Sequence, residues 1–282
     1  YCACDTGYYE VPAGGGICRE AVEPDVGDLV VNEALIEPVN TGIADGQWVE
    51  VLNTTSATLL MNGVGFAVTN SSFSDAIVIP ADPYVLLAPG DYYVFGPNAD
   101  TGSNGNVAMD LEFTTMPELE KADSTVEVYR DSDSVTIDTV TWDATWNHVT
   151  GHSLILSPAA LGATAATLND NYAHWCFSDD FQFGSGDYGS PGGANDLCEV
   201  EYCSILSPFT TTVEQYQYTE VIYSKVWQEW LTGAGSGSPF LIAQLGYGAQ
   251  SSPPDGSWTW YSAAYNLSIL NDDEYMAQMQ PV

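Results

Sequence analysis

Apolar and polar residues alternate over many short stretches of this 282-residue chain. Residues 47–53 and 124–130 show the pattern clearly, and residues 28–33 and 91–96 show it nearly so. A period of two places one face of a strand in the core and leaves the other outside. Clusters of Gly, Pro, Asn and Asp separate the stretches, which predicts an all-β sandwich fold. Only residues 223–231 have helical spacing, and their Val, Trp and Tyr content is equally typical of a strand.

Composition divides the chain into four segments. Residues 1–20 are rich in Gly and Cys and too short to bury a core, so we expect a disulfide to hold them. Residues 21–26 form an acidic linker that contains Pro. Residues 27–198 form a strand-rich body with a turn-rich end, and residues 199–282 begin a new series of strands.

The charge balance narrows the classes of partner. Asp and Glu number 38 against 4 Lys and Arg, which gives a net charge of −34, yet 12% of the residues are aromatic, as in a folded protein. So few cations exclude binding to nucleic acid or to an anionic membrane surface. We expect salt or divalent cations to relieve the self-repulsion, in a saline or calcium-rich exterior; simple solubility is the alternative explanation.

The sequence has no run of 18 apolar residues, so no membrane insertion is expected. Residue 1 is Tyr and no signal peptide is visible, so we expect a mature product or a fragment.

Six cysteines lie in two clusters at the flanks of a long cysteine-free stretch, at positions 2, 4, 18, 176, 198 and 203. No Cys-x-x-Cys pair occurs, and the three histidines lack ligand spacing, which disfavours zinc. Disulfides in an oxidising compartment fit better, so we expect an extracellular or cell-surface protein.

One loop has the composition of a calcium site. Asp100, Asn104 and Asp110 lie in an oxygen-rich stretch, although the stretch departs from the EF-hand pattern at its third and twelfth positions. Calcium is therefore the one cofactor that the sequence suggests. The alternative is a set of solvated turns, where Asp and Asn are common for backbone reasons.

Two tryptophans provide a candidate binding surface. Trp258 and Trp260 are two residues apart, so a strand would present both on one face, where they could stack against carbohydrate. The alternative is that both rings belong to the core of a sandwich.

Nothing in the sequence indicates catalysis. His152 and Ser153 are adjacent, so on a strand they point to opposite faces and do not act as base and nucleophile for each other. No nucleophile elbow, phosphate-binding loop or zinc-protease motif occurs, and we predict that the chain is not an enzyme.

Residues 27–198 resemble the lamin-tail domain, an immunoglobulin-like β-sandwich of nuclear lamins and many secreted bacterial proteins. Six segments match in order: Gly-Asp-Leu-Val-Val-Asn-Glu-Ala at 27–34, Asp-Gly-Gln-Trp-Val-Glu-Val-Leu-Asn at 45–53, Leu-Ala-Pro-Gly-Asp-Tyr-Tyr-Val-Phe at 87–95, the hairpin 122–142, Gly-His-Ser-Leu at 151–154 and Gly-Ser-Pro-Gly-Gly-Ala-Asn at 189–195. The resemblance implies an immunoglobulin-like sandwich for this segment.

The two ends resemble other secreted modules. The segment Cys-Ala-Cys-Asp-Thr-Gly-Tyr-Tyr at 2–9 is similar to the last third of an EGF-like module, which implies that Cys4 pairs with Cys18. Residues 202–208, 243–248, 257–260 and 271–277 resemble an immunoglobulin-like module of large secreted myxobacterial proteins. In that family further strands follow, so we expect an incomplete sandwich whose last strands lie further along the chain or come from a neighbouring subunit.

The same resemblances bear on the remaining cysteines. Cys176 and Cys198 flank the end of the lamin-tail-like body and are expected to close a loop there. Cys2 and Cys203 are left over, to pair with each other, with residues outside the chain or with another subunit.

Together these observations predict a non-catalytic extracellular structural protein. We expect tandem immunoglobulin-like sandwiches that form the repeating subunit of a surface fibre or layer, assembled as a homo-oligomer or polymer by edge-strand contact. The alternative is an adhesive or targeting module of a larger secreted enzyme or surface protein.

Overall fold

The computed structural model describes residues 8–10, 17–39, 41–146, 148–179, 181–184, 186–196, 198, 200–228, 232–233, 235, 237, 241–249 and 257–281. The chain forms two compact units, Tyr1–Cys198 and Glu199–Val282. Strands make up nearly all of the regular secondary structure of both, which confirms the all-β prediction. That the two units repeat one immunoglobulin-like fold stays a prediction.

The first unit contains sixteen of the strands found in the described part of the chain. In chain order they are β1 (Tyr8–Glu10), β2 (Cys18–Glu20), β3 (Leu29–Leu35), β4 (Trp48–Asn53), β5 (Leu59–Leu60), β6 (Val64–Asn70), β7 (Ser74–Val78), β8 (Leu86–Leu87), β9 (Tyr92–Gly96), β10 (Leu111–Glu112), β11 (Asp123–Arg130), β12 (Val135–Asp143), β13 (Leu154–Leu156), β14 (Trp175–Phe177), β15 (Gln182–Phe183) and β16 (Asp187–Tyr188).

The helices of the described residues are single turns. They are α1 (Ile43–Gly46), α2 (Ala165–Leu168) and two 3-10 turns at Pro158–Ala160 and Tyr172–His174. None of these is long or apolar enough to cross a membrane.

Two sheets form the body of the first unit. One has the order β10-β9-β4-β3-β13-β14 and the other the order β12-β11-β6-β7. Phe66 of β6 stacks across the interior on Phe95 and Tyr93 of β9, with ring centroids 4.4 and 5.9 Å apart. Since Phe66 and Phe95 are completely buried, these rings hold the two sheets together in a β-sandwich-like arrangement.

The six-stranded sheet is buried on both faces at its centre, which differs from the sequence-based expectation of one solvent face. All residues of β3 and β4 are buried. On the face away from the four-stranded sheet, Trp48 packs in a second cluster with Leu35, Val94 and Val107, and Phe183 meets Trp48 edge-on. Loops cover this face, so the alternation in sequence does not separate core from solvent here.

The segment 21–26, which composition marks as a linker, is bonded to this body. Val22 donates its N–H to the carbonyl of Thr58 and accepts from the N–H of Leu60, at 3.0 and 2.8 Å. Arg130 donates to the carbonyl oxygen of Pro24 at 2.9 Å, and its other nitrogens hold Asp133 in a bidentate pair. The segment is therefore fastened to β11 and to the loop before β5.

The second unit has a four-stranded sheet and a separate hairpin. Its strands are β17 (Tyr202–Ser207), β18 (Ile222–Trp227), β19 (Gln244–Tyr247), β20 (Thr259–Ser262), β21 (Ala264–Ile269) and β22 (Asp272–Ala277). The sheet has the order β17-β18-β22-β21, and β19 pairs with β20. Ile222, Val226 and Tyr275 are buried at its centre, and Lys225 forms an ion pair with Asp272 at 3.0 Å.

The packing between the sheets makes Phe66 a test of the first unit. We expect Phe66→Ala to lower the free energy of unfolding by about 3–5 kcal/mol, because it empties a closed site between the sheets. Phe73 lies three residues after β6 and is 56% exposed, so Phe73→Ala is the matched control, with an expected change below about 0.5 kcal/mol. Urea unfolding measures both; equal effects would contradict the assigned packing.

Candidate functional site

The most unusual chemistry of the first unit lies inside its six-stranded sheet. Glu33 of β3 and Glu50 of β4 are direct cross-strand partners, and both side chains are fully buried. Like charges directly opposite one another destabilise a sheet, and burial disfavours the ionised form. Burial raises the pKa of Glu33 to about 7, and burial together with the charge of Glu33 raises the pKa of Glu50 well above its usual range.

A bulge in β3 brings this pair together. Val31 pairs with Val51 and Glu33 pairs with Glu50, so Asn32 is one extra residue on β3. The bulge takes the backbone of Val31 out of the regular ladder. Asp138 of the facing sheet accepts the Val31 N–H at 2.6 Å, and Asn169 donates to the Val31 carbonyl at 3.2 Å.

Asp138 is itself a buried acid that links the two sheets. Besides the N–H of Val31, its Oδ2 accepts a hydrogen bond from Asn169 Nδ2 at 2.8 Å. Burial raises the pKa of Asp138 to about 7, since these hydrogen bonds offset only part of the desolvation.

The two glutamates hold the loop that ends the first unit, residues 189–196, which we call the closing loop. Glu33 Oε1 accepts from the hydroxyl of Ser153 at 2.5 Å and from the N–H of Ser190 at 2.9 Å. Its Oε2 accepts from the hydroxyl of Ser190 at 2.8 Å. Glu50 accepts from the N–H of Gly192 at 2.6 Å and from Asn32 Nδ2 at 2.8 Å. Backbone donors of the closing loop therefore supply hydrogen bonds that water supplies to an exposed carboxylate.

Asn195 completes the attachment of the closing loop. Its Nδ2 donates to the backbone and side-chain oxygens of Asn32, both at 3.1 Å, and to the carbonyl of Leu156 at 2.8 Å. Its Oδ1 accepts from Asn32 Nδ2 at 3.0 Å. One amide thus bridges the β3 bulge and the end of β13.

A covalent bond lies just beyond this loop. Cys176 of β14 and Cys198 are joined by a disulfide with an S–S distance of 2.08 Å, which confirms the predicted pairing. Next to it, the hydroxyl of Ser178 donates to Asp196 at 2.5 Å. The last residues of the first unit are therefore fixed by hydrogen bonds on one side and by the disulfide on the other.

The buried cluster has no access for a substrate. Glu33, Glu50 and Ser153 are completely buried, so the pair of carboxyl groups binds the chain itself rather than a ligand. His152 and Ser153 have separate partners: His152 Nδ1 lies 2.7 Å from the carbonyl of Ser178, while Ser153 faces Glu33. The arrangement can fasten the closing loop and can respond to protonation.

The candidate calcium loop holds itself together by local hydrogen bonds. Asp100 accepts from the N–H of Gly102 at 3.0 Å, and Asp110 accepts from the N–H of Val94 at 2.8 Å. Asn104 is buried, with its Oδ1 bonded to the N–H of Val107 and its Nδ2 to two carbonyls. Within the described residues, no three His, Cys, Asp or Glu side chains are grouped so as to hold a metal ion. Calcium at Asp100, Asn104 and Asp110 stays a prediction.

The other cysteines are placed only in part. Cys18 is disulfide-bonded, while Cys4, its expected partner, and Cys2 lie outside the described residues. Cys203 of the edge strand β17 is a free cysteine and is exposed as a residue. Its thiol group is partly buried, which raises the pKa of the thiol.

The two predicted binding tryptophans lie together in the second unit. Trp260 belongs to β20 and Trp258 precedes it, with ring centroids 5.8 Å apart and planes 25° apart. We call this pair the Trp strip. It occurs in the hairpin of β19 and β20, and Trp260 is 41% exposed.

Sequence reasoning did not single out Glu33, Glu50 or Asn195. A signal was present, since Asn32 and Glu33 interrupt an otherwise apolar strand that continues to Leu35. Polar residues inside such a run indicate either a solvent face or a buried partner. The Gly- and Ser-rich closing loop supplies that partner from a position far along the chain.

Comparison with protein-family models and with characterised proteins finds no match to this chain. The lamin-tail, EGF-like and immunoglobulin-like resemblances therefore stand on the residues quoted above.

Loss of the disulfide is expected to loosen the end of the first unit. We expect the double variant Cys176→Ser with Cys198→Ser to lower the free energy of unfolding of that unit by about 3 kcal/mol, because the closed loop restricts the unfolded chain. The control is Cys203→Ser, since this exposed cysteine is free. Urea unfolding of both variants measures the effect, and equal stabilities would contradict a structural role for the disulfide.

The glutamate pair predicts an unusual pH dependence. Glu33 has a pKa of about 7 when folded and about 4.5 when unfolded, so the contribution of Glu33 to the free energy of unfolding is greatest below pH 4.5 and is lost as the pH rises through about 7. The fall due to Glu33 is at most about 3 kcal/mol. Since Asp138 and Glu50 also have raised pKa values, we expect Glu33→Gln to reduce the slope of this profile rather than remove it, and to be the more stable protein at pH 8.

The matched control for this charge change is Glu118→Gln, because Glu118 is exposed. It is expected to retain the wild-type slope of stability against pH between pH 4.5 and 8. Denaturant unfolding at several pH values provides the measurement. Parallel profiles for Glu33→Gln and the wild type would show that Glu33 does not titrate in this range.

Proposed function

We propose that this chain is a non-catalytic extracellular structural protein, the repeating subunit of a surface fibre or layer. The observation that carries the proposal is the fastening of the chain at both ends of the two-sheet body in the first unit. At one end, Arg130 and Val22 bind the segment 21–26 to the body. At the other, Glu33 and Glu50 bind the closing loop, and the disulfide with Cys176 fixes Cys198 shortly after it.

Fastened ends suit a chain that bears load. Tension along a string of domains acts first where the backbone enters and leaves each domain. Here that tension meets buried hydrogen bonds and a covalent bond rather than a loose strand end. A buried hydrogen bond that breaks leaves its donor and acceptor unpaired and away from water, which is costly, so the ends resist peeling.

The chemical environment of a cell exterior supports the same proposal. Disulfides persist in oxidising compartments, and the net charge of −34 is tolerated where salt or divalent cations screen it. Calcium bridging between acidic subunits is part of the proposal. The resemblance of residues 27–198 to the lamin-tail domain of secreted bacterial proteins also supports it.

The edge β7 is the best candidate for contact between subunits. The long edges β12, β17 and β21 each contain an irregularity of register, and such bulges disfavour pairing with another chain. The edges β10 and β14 have only two and three residues. In contrast, β7 has five residues in regular pairing with β6. Strand addition along β7 would join copies without disturbing either sheet.

An adhesive or targeting module is the second candidate. The Trp strip favours it, because adjacent aromatic rings of which one, Trp260, is exposed are common at binding surfaces and uncommon on a purely structural one. The two candidates differ in whether the purified chain assembles by itself.

Assembly tests the structural proposal directly. We expect the purified chain to form ordered fibres or sheets in electron micrographs, and calcium to promote them more than sodium chloride of equal ionic strength. Ala76→Lys places a charge at an exposed position of β7 and is expected to prevent assembly. Ala159→Lys is the matched control, since Ala159 is exposed in a 3-10 turn outside β7.

Dispersed monomers of the wild type, with calcium and with a chelator, would contradict the structural proposal and favour the targeting module. Assembly that is equally impaired by Ala76→Lys and Ala159→Lys would keep the structural role but remove β7 as the contact.

A further inference from the structure

The hairpin of β19 and β20 has two faces with different aromatic residues. On one face, Tyr247 and Tyr261 stack with ring centroids 6.3 Å apart. Tyr261 also donates its hydroxyl to the carbonyl of Gln280 at 2.6 Å, so this face is attached to the end of the described chain. Successive side chains of a strand point to opposite faces, and Trp260 is next to Tyr261 in β20. Trp260, and Trp258 two residues before it, therefore lie on the face opposite Tyr247.

Glycines lie directly beneath both tryptophan rings. A Cβ atom built on Gly246 would lie 2.5–2.9 Å from three carbons of the Trp260 ring. One built on Gly248 would lie 2.3–2.5 Å from three atoms of the Trp258 ring. Since each such atom is close to several ring atoms at once, it would meet the face of the ring rather than its edge. Each indole therefore lies flat across the neighbouring strand.

Two flat rings on one ribbon form a continuous aromatic surface. Their planes differ by 25° and their centroids are 5.8 Å apart, so the outer faces point in nearly the same direction. At the end of the ribbon, Gln244 pairs with Ser262, and both are exposed on the same face as the tryptophans. Their amide and hydroxyl groups are hydrogen-bond donors and acceptors beside an apolar platform.

We propose that the Trp strip binds a neutral polysaccharide. The C–H face of a pyranose ring is apolar and flat, and it stacks on an indole, while its hydroxyl groups point outward to partners such as Gln244 and Ser262. Two rings spaced by about the length of one sugar unit can each carry a residue of the same glycan chain. Glycan binding of this kind goes beyond the proposed structural role and does not depend on it.

Charge selects a neutral glycan over an anionic one. Lys225 is the only Lys or Arg in residues 199–282, and Asp272 already neutralises it. With a net charge of −34 on the whole chain, polymers with sulfate, phosphate or carboxylate groups are repelled.

Geometry selects a glycan over a proline-rich peptide. Such peptides bind in grooves between aromatic side chains, where the rings form the walls. Trp258 and Trp260 lie side by side, each flat across the neighbouring strand, rather than opposite one another as the walls of a groove. A flat strip suits a ribbon-shaped ligand that presents one apolar face.

The test is binding of the full chain to insoluble cellulose, chitin and β-1,3-glucan in depletion assays, with alginate as the anionic probe and polyproline as the peptide probe. We expect saturable binding to at least one neutral glycan. Trp260→Ala is expected to lower the association constant by at least about tenfold, because one stacked ring is lost. The control Phe209→Ala removes an aromatic residue that is 81% exposed in the same unit and is expected to leave binding unchanged.

A second variant and a second measurement guard against loss of the fold. Gln244→Ala removes an exposed amide without touching a ring, and we expect it to weaken binding several-fold. In the wild type, a glycan seated on the strip is expected to quench or shift tryptophan fluorescence. Absence of both binding and fluorescence change with all three neutral glycans would overturn the proposal, as would preferred binding of alginate or polyproline. Either result leaves the assembly experiment unaffected.

Discussion

The first unit depends on how two carboxyl groups are kept inside a sheet. Glu33 and Glu50 face one another across β3 and β4, where an unpartnered acid would cost several kcal/mol of desolvation. The closing loop offsets this cost with the N–H groups of Ser190 and Gly192, and the Ser153 hydroxyl adds a further donor. The closing loop therefore stabilises the buried carboxyl groups of the sheet, and these carboxyl groups hold the closing loop in place. Because the partners are more than 140 residues apart in sequence, neither end of the unit is complete without the other.

The bulge at Asn32 extends this dependence to the facing sheet. In a regular β3 the backbone groups would bond to the adjacent strands. With the extra residue, the N–H of Val31 instead donates to Asp138 of β12. Asn32 is itself this extra residue, and its side chain bonds to Glu50 and Asn195. One irregularity thus connects two sheets and the closing loop. These buried polar links specify a single arrangement, in addition to what the apolar contacts of Phe66 contribute.

The sequence was sufficient to predict what depends on local pattern. Alternation and turn residues predicted an all-β chain, and the resemblance to known modules, with Cys176 and Cys198 at the end of the lamin-tail-like body, implied their pairing. The burial of Glu33 and Glu50 was not predictable. The alternation of apolar and polar residues along a strand is the same whether solvent or a polar loop covers the polar face. Asn104 shows the same limit, because Asn in a turn suits either a metal or a carbonyl partner. For the Trp strip, spacing placed the rings on one face, but Gly246 and Gly248 became relevant only through the register of the hairpin.

The scarcity of cations has a consequence for proteolysis. Three of the four Lys and Arg residues form ion pairs within the fold: Lys121 with Glu37, Arg130 with Asp133, and Lys225 with Asp272. Proteases of trypsin specificity cut only after these residue types, and they need the backbone around the cut to open first. At these three positions the basic side chain that such an enzyme must bind already forms an ion pair with a carboxylate of this protein. The composition that makes the surface acidic therefore also leaves the folded chain with very few places where a trypsin-like enzyme can begin digestion.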